Sequence, residues 1–272
     1  MNIGKVKQTL IWVFLLGAIG ALTFLSVQRK KKAAVDMLII IVSKTESGQL
    51  IHEKEVKKLI VKSIGFNPDK KSIRAINSRK LEADIEIDPR VRNAEVYFDA
   101  KNRMHVKVDP KEVIVRISDV SGVQYFLDDK GNQVPVIRGG AVRVPLANGY
   151  IERYAKGFDQ KPGFSALKEV FNLVRFIKDD EFLDALIEQI HVDESGEMIL
   201  IPKVGKEKLI FGTSAQMRDK FENLKIFYRD GMTKIGWNRY PALNLKFTNQ
   251  VVLIDGKPSE QEFVTETAMR LE

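Results

Sequence analysis

The sequence contains no cysteine and only three histidines among its 272 residues. Without cysteine there can be no disulfide and no thiolate nucleophile, and a zinc site would depend on the scattered His52, His105 and His191 together with carboxylates. The G-x-S-x-G and H-E-x-x-H patterns of hydrolases are also missing. We therefore predict a protein that is not an enzyme, with no catalytic residue, no metal, no cofactor and no small-molecule substrate.

Acidic residues are absent from the first 32 positions, and the charges that do occur there are all positive. They are Lys5, Lys7, Arg29, Lys30, Lys31 and Lys32. These six carry most of the formal net charge of +8, so the rest of the chain is close to neutral. Because binding to nucleic acid needs a basic patch on the folded body, we expect no nucleic-acid partner.

One apolar segment, residues 10–27 (LIWVFLLGAIGALTFLSV), contains no charge. As a helix it would extend about 27 Å, which is close to the thickness of a bilayer's hydrocarbon core. We predict a single transmembrane helix at 10–27, after a short cytoplasmic tail (1–9) and before a basic juxtamembrane linker (28–35). Arg29 to Lys32 would then contact lipid headgroups. A cleavable signal peptide is the alternative, because Ala18-Ile19-Gly20 fits the small-x-small pattern.

Charge alone does not orient this helix, because more basic residues follow it than precede it. Long C-terminal domains can nevertheless cross the membrane when basic residues follow the helix. The tail at 1–9 is also too short for a cytoplasmic function. We expect the N-terminus to be cytoplasmic and the bulk of the chain to lie on the opposite side of the membrane.

Residues 36–117 show the order β-α-α-β-β. A β-branched run at 36–42 predicts a strand, and the apolar spacing of 52–64 with Gly65 behind it predicts a capped helix. A second helix is predicted from Asn77 or Ser78 to the Asp88-Pro89 stop. Alternating strands at 94–98 and 104–108 follow, joined by a turn at 99–103.

Residues 118–255 indicate a mostly β domain with flanking helices, which makes the fold class α+β. One strand is predicted just before this boundary, at 113–117. Within the domain, strands are predicted at 123–127, 134–137, 187–192, 198–202, 208–211, 243–247 and 251–254. Ser165 and Ser214 are predicted to begin helices, the second with the stripe Met217, Phe221, Leu224 and Tyr228. The polar tail at 256–272 is expected to fray.

Several local patterns, in this order behind one apolar segment, resemble the FtsQ/DivIB family of bacterial cell division proteins. They are Ile85-x-x-Asp88-Pro89-x-Val91, Tyr125-x-x-Asp128-x-x-Gly131-x-x-Val134-Pro135, Val144-Pro145-Leu146 and Leu243-Asn244-Leu245-Lys246-Phe247. In that family the first unit is a POTRA domain. The last motif departs from the family's usual Asp-Leu-Arg-Tyr, with Asn244, Lys246 and Phe247 at the Asp, Arg and Tyr positions.

The resemblance implies a non-catalytic divisome scaffold at the inner membrane and the division septum. Partners of the FtsB/FtsL type would add a strand to a sheet edge at about 240–252, and the scaffold would link them to septal cell-wall synthesis. The proposed partner-binding residues of this edge are Tyr240, Lys246, Phe247, Asn249, Val251 and Val252. Alternation places Lys246 and Phe247 on opposite faces, and Phe247 could instead be an inward-facing core residue.

Two other functions stay open from the residues alone. POTRA units also occur in envelope assembly and secretion factors, although those typically carry several units before a transmembrane barrel. A membrane-anchored cell-wall enzyme would need paired carboxylates in a cleft. The acidic pairs Asp128-Asp129, Asp179-Asp180 and Asp193-Glu194 all fall in predicted turns or at a helix start, which favours capping roles.

Overall fold

The computed structural model describes residues 12, 16–20, 34–136, 141–232, 236 and 239–255. The chain forms two compact units, the first comprising Met1–Thr45 and Gln49–Lys111 and the second Glu46–Gly48 and Glu112–Glu272. The predicted segments 1–9 and 256–272 lie outside the described residues, as does most of the predicted span 10–27 and of the linker 28–35. Over the described ranges, no helix combines the length and apolar character needed to cross a membrane.

The first unit has the predicted β-α-α-β-β order. Its main elements are β1 (Leu38–Val42), α1 (Glu53–Ile64), α2 (Ser78–Glu86), β3 (Val91–Phe98) and β4 (Met104–Pro110). A short strand before α1, β2 (Gly48–Gln49), straddles the division between the two units. In the part of the unit that is described, β1, β4 and β3 form one sheet in that order. β1 runs parallel to β4, and β3 is antiparallel to it.

Both helices of the first unit begin and end through local signals that are visible in the sequence. The Glu55 carboxylate accepts a hydrogen bond from the His52 backbone N–H at 2.9 Å, and Asn77 Oδ1 accepts one from the Lys80 N–H at 3.1 Å. At the end of α1, Gly65 takes a left-handed conformation (φ 78°), which glycine adopts at little cost. The two predicted helices are confirmed.

Side chains along each strand alternate between the two faces of the first sheet, and the two helices cover one of these faces. Val96 and Val106 belong to a core with Val56, Ile60 and Leu81 of the two helices. The opposite face carries the alternate residues, among which Ile41 and Tyr97 are exposed.

The second unit is built on a wide mixed sheet. Its strands are β5 (Val113–Ser118), β6 (Gln124–Asp128), β7 (Gln133–Pro135), β8 (Ala141–Val142), β9 (Leu146–Gly149), β10 (Ile187–Val192), β11 (Met198–Pro202), β12 (Lys208–Gly212), β13 (Ala242–Asn244) and β14 (Val252–Ile254). Over the described residues, nine of these strands follow the order β14-β13-β12-β11-β10-β9-β5-β6-β7. The pairs β5–β9, β9–β10 and β12–β13 are parallel.

Helices cover one face of this sheet. They are α3 (Ala166–Lys178), α4 (Glu181–Leu186) and α5 (Met217–Ile226), and α5 continues into a π-helical turn at Phe227–Gly231. The Ser165 hydroxyl accepts a hydrogen bond from the Lys168 N–H at 3.1 Å, which confirms the predicted start of α3. The α+β fold class is likewise confirmed.

Four details differ from the sequence-based expectation. The division between the units falls at Lys111/Glu112 instead of 117/118, because β5 pairs with β6 and β9 of the large sheet. The second-unit helix predicted from Ser214 begins at Met217, after Gln216 in a left-handed conformation (φ 54°). The sequence did not predict α4 and β9. The predicted strand through Phe247 ends at Asn244.

A charged cluster joins α1 to the start of β3 in the first unit. The guanidinium of Arg90, which is buried, donates to both carboxylate oxygens of Asp88 (2.9 and 2.8 Å) and to Glu55 (2.6 Å). Burial by itself raises the pKa of Asp88, but the hydrogen bonds from the Arg90 side chain and backbone outweigh it, and the pKa lies below its usual value. The cluster therefore stabilises the folded unit in its ionised form.

We expect Arg90→Ala to lower the free energy of unfolding of the first unit by about 3 kcal/mol, because it leaves the Asp88 carboxylate buried without its cation. Urea unfolding followed by circular dichroism measures this loss. Arg79→Ala is the matched control, since Arg79 is exposed on α2, and it should change stability by less than about 0.5 kcal/mol. Equal losses in the two variants would contradict a stabilising role for the cluster.

The stabilisation from Asp88 should depend on pH. A carboxyl whose folded pKa is lowered contributes stability that is present above its unfolded pKa, near 3.9, and is lost as the pH falls through the folded value. The difference in stability between the wild type and Arg90→Ala should thus be constant near neutral pH and shrink at acidic pH, beginning above about pH 4 because burial alone raises the Asp88 pKa in the variant. Urea unfolding at a series of pH values tests this, and a difference that stays constant at acidic pH would refute it.

Candidate docking edge of the large sheet

The two outermost strands in the described part of the large sheet are β7 and β14. They differ in whether a proline interrupts the outward row of backbone N–H groups. β7 ends at Pro135, which is exposed and has no backbone N–H. Proline on an outer strand is a common way of blocking the addition of a further strand. β14 (Val252–Ile254) has neither proline nor charge in its span. Over the described residues, β14 thus lacks the block that Pro135 gives β7.

The register shows which backbone groups of β14 face outward. The Leu245 N–H donates to the Ile210 carbonyl of β12 at 2.9 Å, so the backbone polar groups of Leu243 and Leu245 point towards β12. Successive residues of a strand point their polar groups to opposite sides, so Asn244 faces β14 and pairs with Val252. By the same alternation, Leu253 directs its N–H and C=O away from β13.

Side chains of the outer strand also alternate. Val251 and Leu253 pack against the helix-covered core of the second unit. Val252 and Ile254 lie on the other face, where both are half-buried, and Val252 is in line with Asn244 and Ile210. A strand added beside β14 would therefore meet a half-exposed aliphatic surface on that face.

The loop 245–251 begins where Asn244 ends β13. The Asn244 side-chain oxygen accepts a hydrogen bond from the Lys246 backbone N–H at 3.0 Å, which turns the chain out of the sheet. Lys246 Nζ then contacts both carboxylate oxygens of Glu197 at 2.7 and 2.8 Å. Phe247 lies beyond the strand with 48% of its surface exposed, so the alternative that it faces the core is wrong.

The remaining two candidates, Asn249 and Tyr240, occupy different positions. Asn249 is exposed in a turn with φ 57°, a conformation that asparagine tolerates better than most residues. Together with Val251 it lines a groove of about 400 Å³ whose other side is formed by α5 and the π-helical turn. Tyr240 is half-buried under the Arg239 guanidinium, 5.6 Å from its ring centre, beside Glu207 and Leu243.

The structure therefore brings five of the six predicted residues to one stretch of chain. Lys246, Phe247, Asn249 and Val251 lie in the loop that leads into β14, and Val252 begins the strand. Tyr240 precedes β13 and lines a separate small cavity. The residue that presents the outward backbone groups, Leu253, was not predicted, because its role follows from a strand register that alternation alone does not give.

A buried polar pair joins the turn before β12 to the π-helical turn after α5. Glu207 is only 2% exposed, and its carboxylate accepts hydrogen bonds from the Tyr228 hydroxyl at 2.9 Å and from the Lys206 N–H at 3.0 Å. Burial first, and then the hydrogen bond to Glu207, raise the pKa of Tyr228. Sequence reasoning missed this pair, because Glu207 sits between two lysines in a glycine-containing turn and resembles an ordinary surface acid.

Over the residues that the structure describes, no group of three or more His, Asp or Glu side chains could hold a metal ion. The partners identified for the acidic pairs are mainly backbone groups: Asp128 Oδ1 accepts from the Lys130 and Asn132 N–H groups, and Asp180 Oδ1 accepts from the Leu183 N–H. Asp193 Oδ1 accepts from the Ser195 and Glu197 N–H groups. These are the turn and cap roles that the sequence favoured.

Comparison with known families supports the division into two units. A family model described as FtsQ/DivIB, C-terminal related, matches residues 112–253, which is more than half of the chain. A second model, described as a POTRA-like domain, matches residues 35–109. No curated protein matches the chain.

We expect Tyr228→Phe to destabilise the second unit by about 1–3 kcal/mol, because a buried carboxylate loses one of its two hydrogen-bond donors. Thermal unfolding followed by circular dichroism measures the change. Tyr150→Phe removes a comparable tyrosine–glutamate contact, to Glu194, from a ring that is 51% exposed. That control should cost no more than about 0.5 kcal/mol, and a similar effect in both variants would refute the importance of burial.

Proposed function

The chain belongs to the FtsQ/DivIB family, and on that premise we propose that it is a non-catalytic scaffold of the bacterial divisome. It would bind membrane proteins of the FtsB/FtsL type and link them to septal cell-wall synthesis. The observation that carries the proposal is the pair of contrasting sheet edges. Pro135 blocks β7, whereas Leu253 of β14 directs an N–H and a C=O away from its neighbouring strand.

We further propose that the protein is a single-pass component of the inner membrane at the division septum. Its N-terminus would be cytoplasmic and both units periplasmic. The uncharged run 10–27 supports an anchor of this kind. Trp12, Leu16 and Ile19, which lie in helical residues of that run, expose 62%, 67% and 57% of their surfaces, as side chains that contact lipid tails do.

The partner would bind by β-augmentation, adding an extended segment beside β14. Backbone hydrogen bonds would supply much of the affinity and alternate side chains the specificity. Val252 would contact the added strand on the uncovered face. Phe247 and Asn249, both exposed in the preceding loop, would contact the partner beyond the end of the strand.

The other predicted residues would act less directly. Val251 packs against the core, so we propose that it holds β14 in register while its backbone groups face the partner. Lys246, through its ion pair with Glu197, would fix the loop that carries Phe247. Tyr240 is half-buried ahead of β13 and would form the flank of the site.

A paired substitution at Leu253 tests the backbone role of the edge. Leu253→Pro removes the outward N–H, whereas Leu253→Ala keeps it, and both variants lose the same packing of the leucine side chain. We expect the proline variant to bind an FtsB/FtsL-type partner at least about tenfold more weakly than the alanine variant, because it loses a backbone hydrogen bond and its ring obstructs the added strand. Pull-down with the full-length chain in detergent micelles measures the difference.

Both variants must keep the circular dichroism spectrum of the wild type, because Leu253 faces away from β13 in the backbone ladder. Equal binding by the two folded variants would show that the partner does not add beside β14. No binding even by the wild type would contradict the proposed partner class. Substitution of Val251 is a poorer test, since its loss disturbs the core as well as the edge.

A further inference from the structure

At one end of the first unit, two loops are bonded to Val35 and Asp36, where the chain enters the unit from the predicted anchor. The Val35 N–H donates to the Lys71 carbonyl at 2.7 Å, and the Lys70 N–H donates to the Val35 carbonyl at 2.8 Å. The Asp36 N–H donates to the carbonyl of Asn102, in the β3–β4 turn, at 3.1 Å. Two loops are thus held beside the position at which the chain enters the unit.

These two loops are basic. Lys70, Lys71, Arg74 and Lys101 are all exposed, and we call this set the basic end. Within the described ranges no acidic side chain lies within ion-pairing distance of any of the four. A fifth cation, Arg103, pairs with Asp99 at 2.6 Å.

Carboxylates do not cancel this charge. The Asp99 carboxylate already pairs with Arg103, and His105 Nε2 lies 3.1 Å from it. Backbone and side-chain hydrogen bonds, led by the Arg103 N–H, hold the pKa of Asp99 well below its usual value. The other acids in the same segments are Asp36 and Asp69, so the four cations of the basic end exceed the unpaired acids around them.

The length of the linker limits how far the basic end can lie from the bilayer. From Val27, the last residue of the predicted span, to Ala34, which bridges Ser72, there are seven residues. Fully extended they reach roughly 25 Å. The headgroup layer takes up about 5–8 Å of that distance. The entry position of the first unit must therefore lie within about 20 Å of the headgroups.

We propose that the basic end docks the first unit onto an anionic bilayer surface, with Lys71, Arg74 and Lys101 contacting lipid headgroups. This rests on the anchor of the proposed function and extends it from the anchor to the folded body of the first unit. An anionic bilayer attracts such clusters, with a range set by the Debye length, about 8 Å at physiological salt.

The opposite end of the unit provides matched controls. Lys44 follows the end of β1, two residues beyond Val42. Lys54, Lys57 and Lys58 are exposed in the first half of α1, whose Glu55 contacts Arg90 just before β3 begins. Because β1 and β4 are parallel and both start beside the basic end, these residues lie at the far end of the sheet.

The absence of cysteine makes single-site labelling direct. We would attach a fluorophore to Ser72→Cys, at the basic end, or to Lys44→Cys, at the far end, in the full-length chain. The protein is then reconstituted into phosphatidylcholine vesicles with or without phosphatidylglycerol, containing an acceptor dye in the headgroup layer. We expect higher energy transfer from Ser72→Cys than from Lys44→Cys, and only in the anionic vesicles.

The variant Lys71→Glu/Arg74→Glu/Lys101→Glu should reduce the transfer from the Ser72 label by roughly half, as should 1 M salt, at which the Debye length falls to about 3 Å. The control Lys54→Glu/Lys57→Glu/Lys58→Glu, with the same change of charge, should leave it unaltered. The proposal would be overturned if energy transfer from the Ser72 label did not change with lipid charge, with salt or with the substitutions at Lys71, Arg74 and Lys101. So would equal transfer from the two labels.

Two readouts separate this proposal from the function on which it rests. The triple variant of the basic end should bind the FtsB/FtsL-type partner as the wild type does. A wild-type protein that docks on anionic vesicles but does not bind the partner would refute the scaffold function alone. A chain that leaves the vesicles on alkaline carbonate washing would overturn the anchor and the docking together.

Discussion

Backbone N–H and C=O groups at the side of a strand must find a partner or face water, and this requirement shapes the second unit more than any other. Along the described part of its large sheet, each inner strand satisfies these groups with a strand on either side. Only the outermost strands face the choice between blocking and exposure. Pro135 blocks one side, and β14 leaves the other able to pair. The candidate site is therefore a feature of the backbone, which side chains position and protect.

Positioning β14 requires that β13 be held firmly, because β13 is the neighbour on which β14 is aligned. β13 pairs in parallel with β12, and the connection between them passes through α5. Lys220 of α5 is almost fully buried, and its ammonium donates to the carbonyls of Phe211 and Thr213 at 2.9 and 2.7 Å. Burial lowers the pKa of Lys220, and its ammonium also lies 4.7 Å from the centre of the Phe211 ring. These hydrogen bonds join α5 to the end of β12, the strand beside which β13 is aligned.

Local signals in the sequence predicted most helices and strands, but the sequence did not predict which distant strands pair. The caps at Asn77 and Ser165 act within a few residues of the helices they begin, so their meaning is visible in the sequence. The parallel pairing of β1 with β4 joins segments about sixty residues apart, and no periodicity encodes it. The strand through Phe247 was predicted too long, since alternation continues there while the Asn244 side chain turns the chain. Likewise, the outward groups of Leu253 follow from register alone.

The departures of this chain from the family's terminal Asp-Leu-Arg-Tyr motif have a consistent physical meaning. Asn244 uses its side-chain oxygen to accept from the Lys246 N–H, which an aspartate carboxylate can do equally well. Lys246 contacts both oxygens of Glu197, as an arginine guanidinium also can. Phe247 keeps the aromatic surface of a tyrosine and lacks only its hydroxyl, at a position that is half exposed. Asn244 and Lys246 thus keep the turn and the ion pair of the loop that leads into β14. Such changes leave the outward N–H and C=O groups of Leu253 in place, because these groups belong to the backbone.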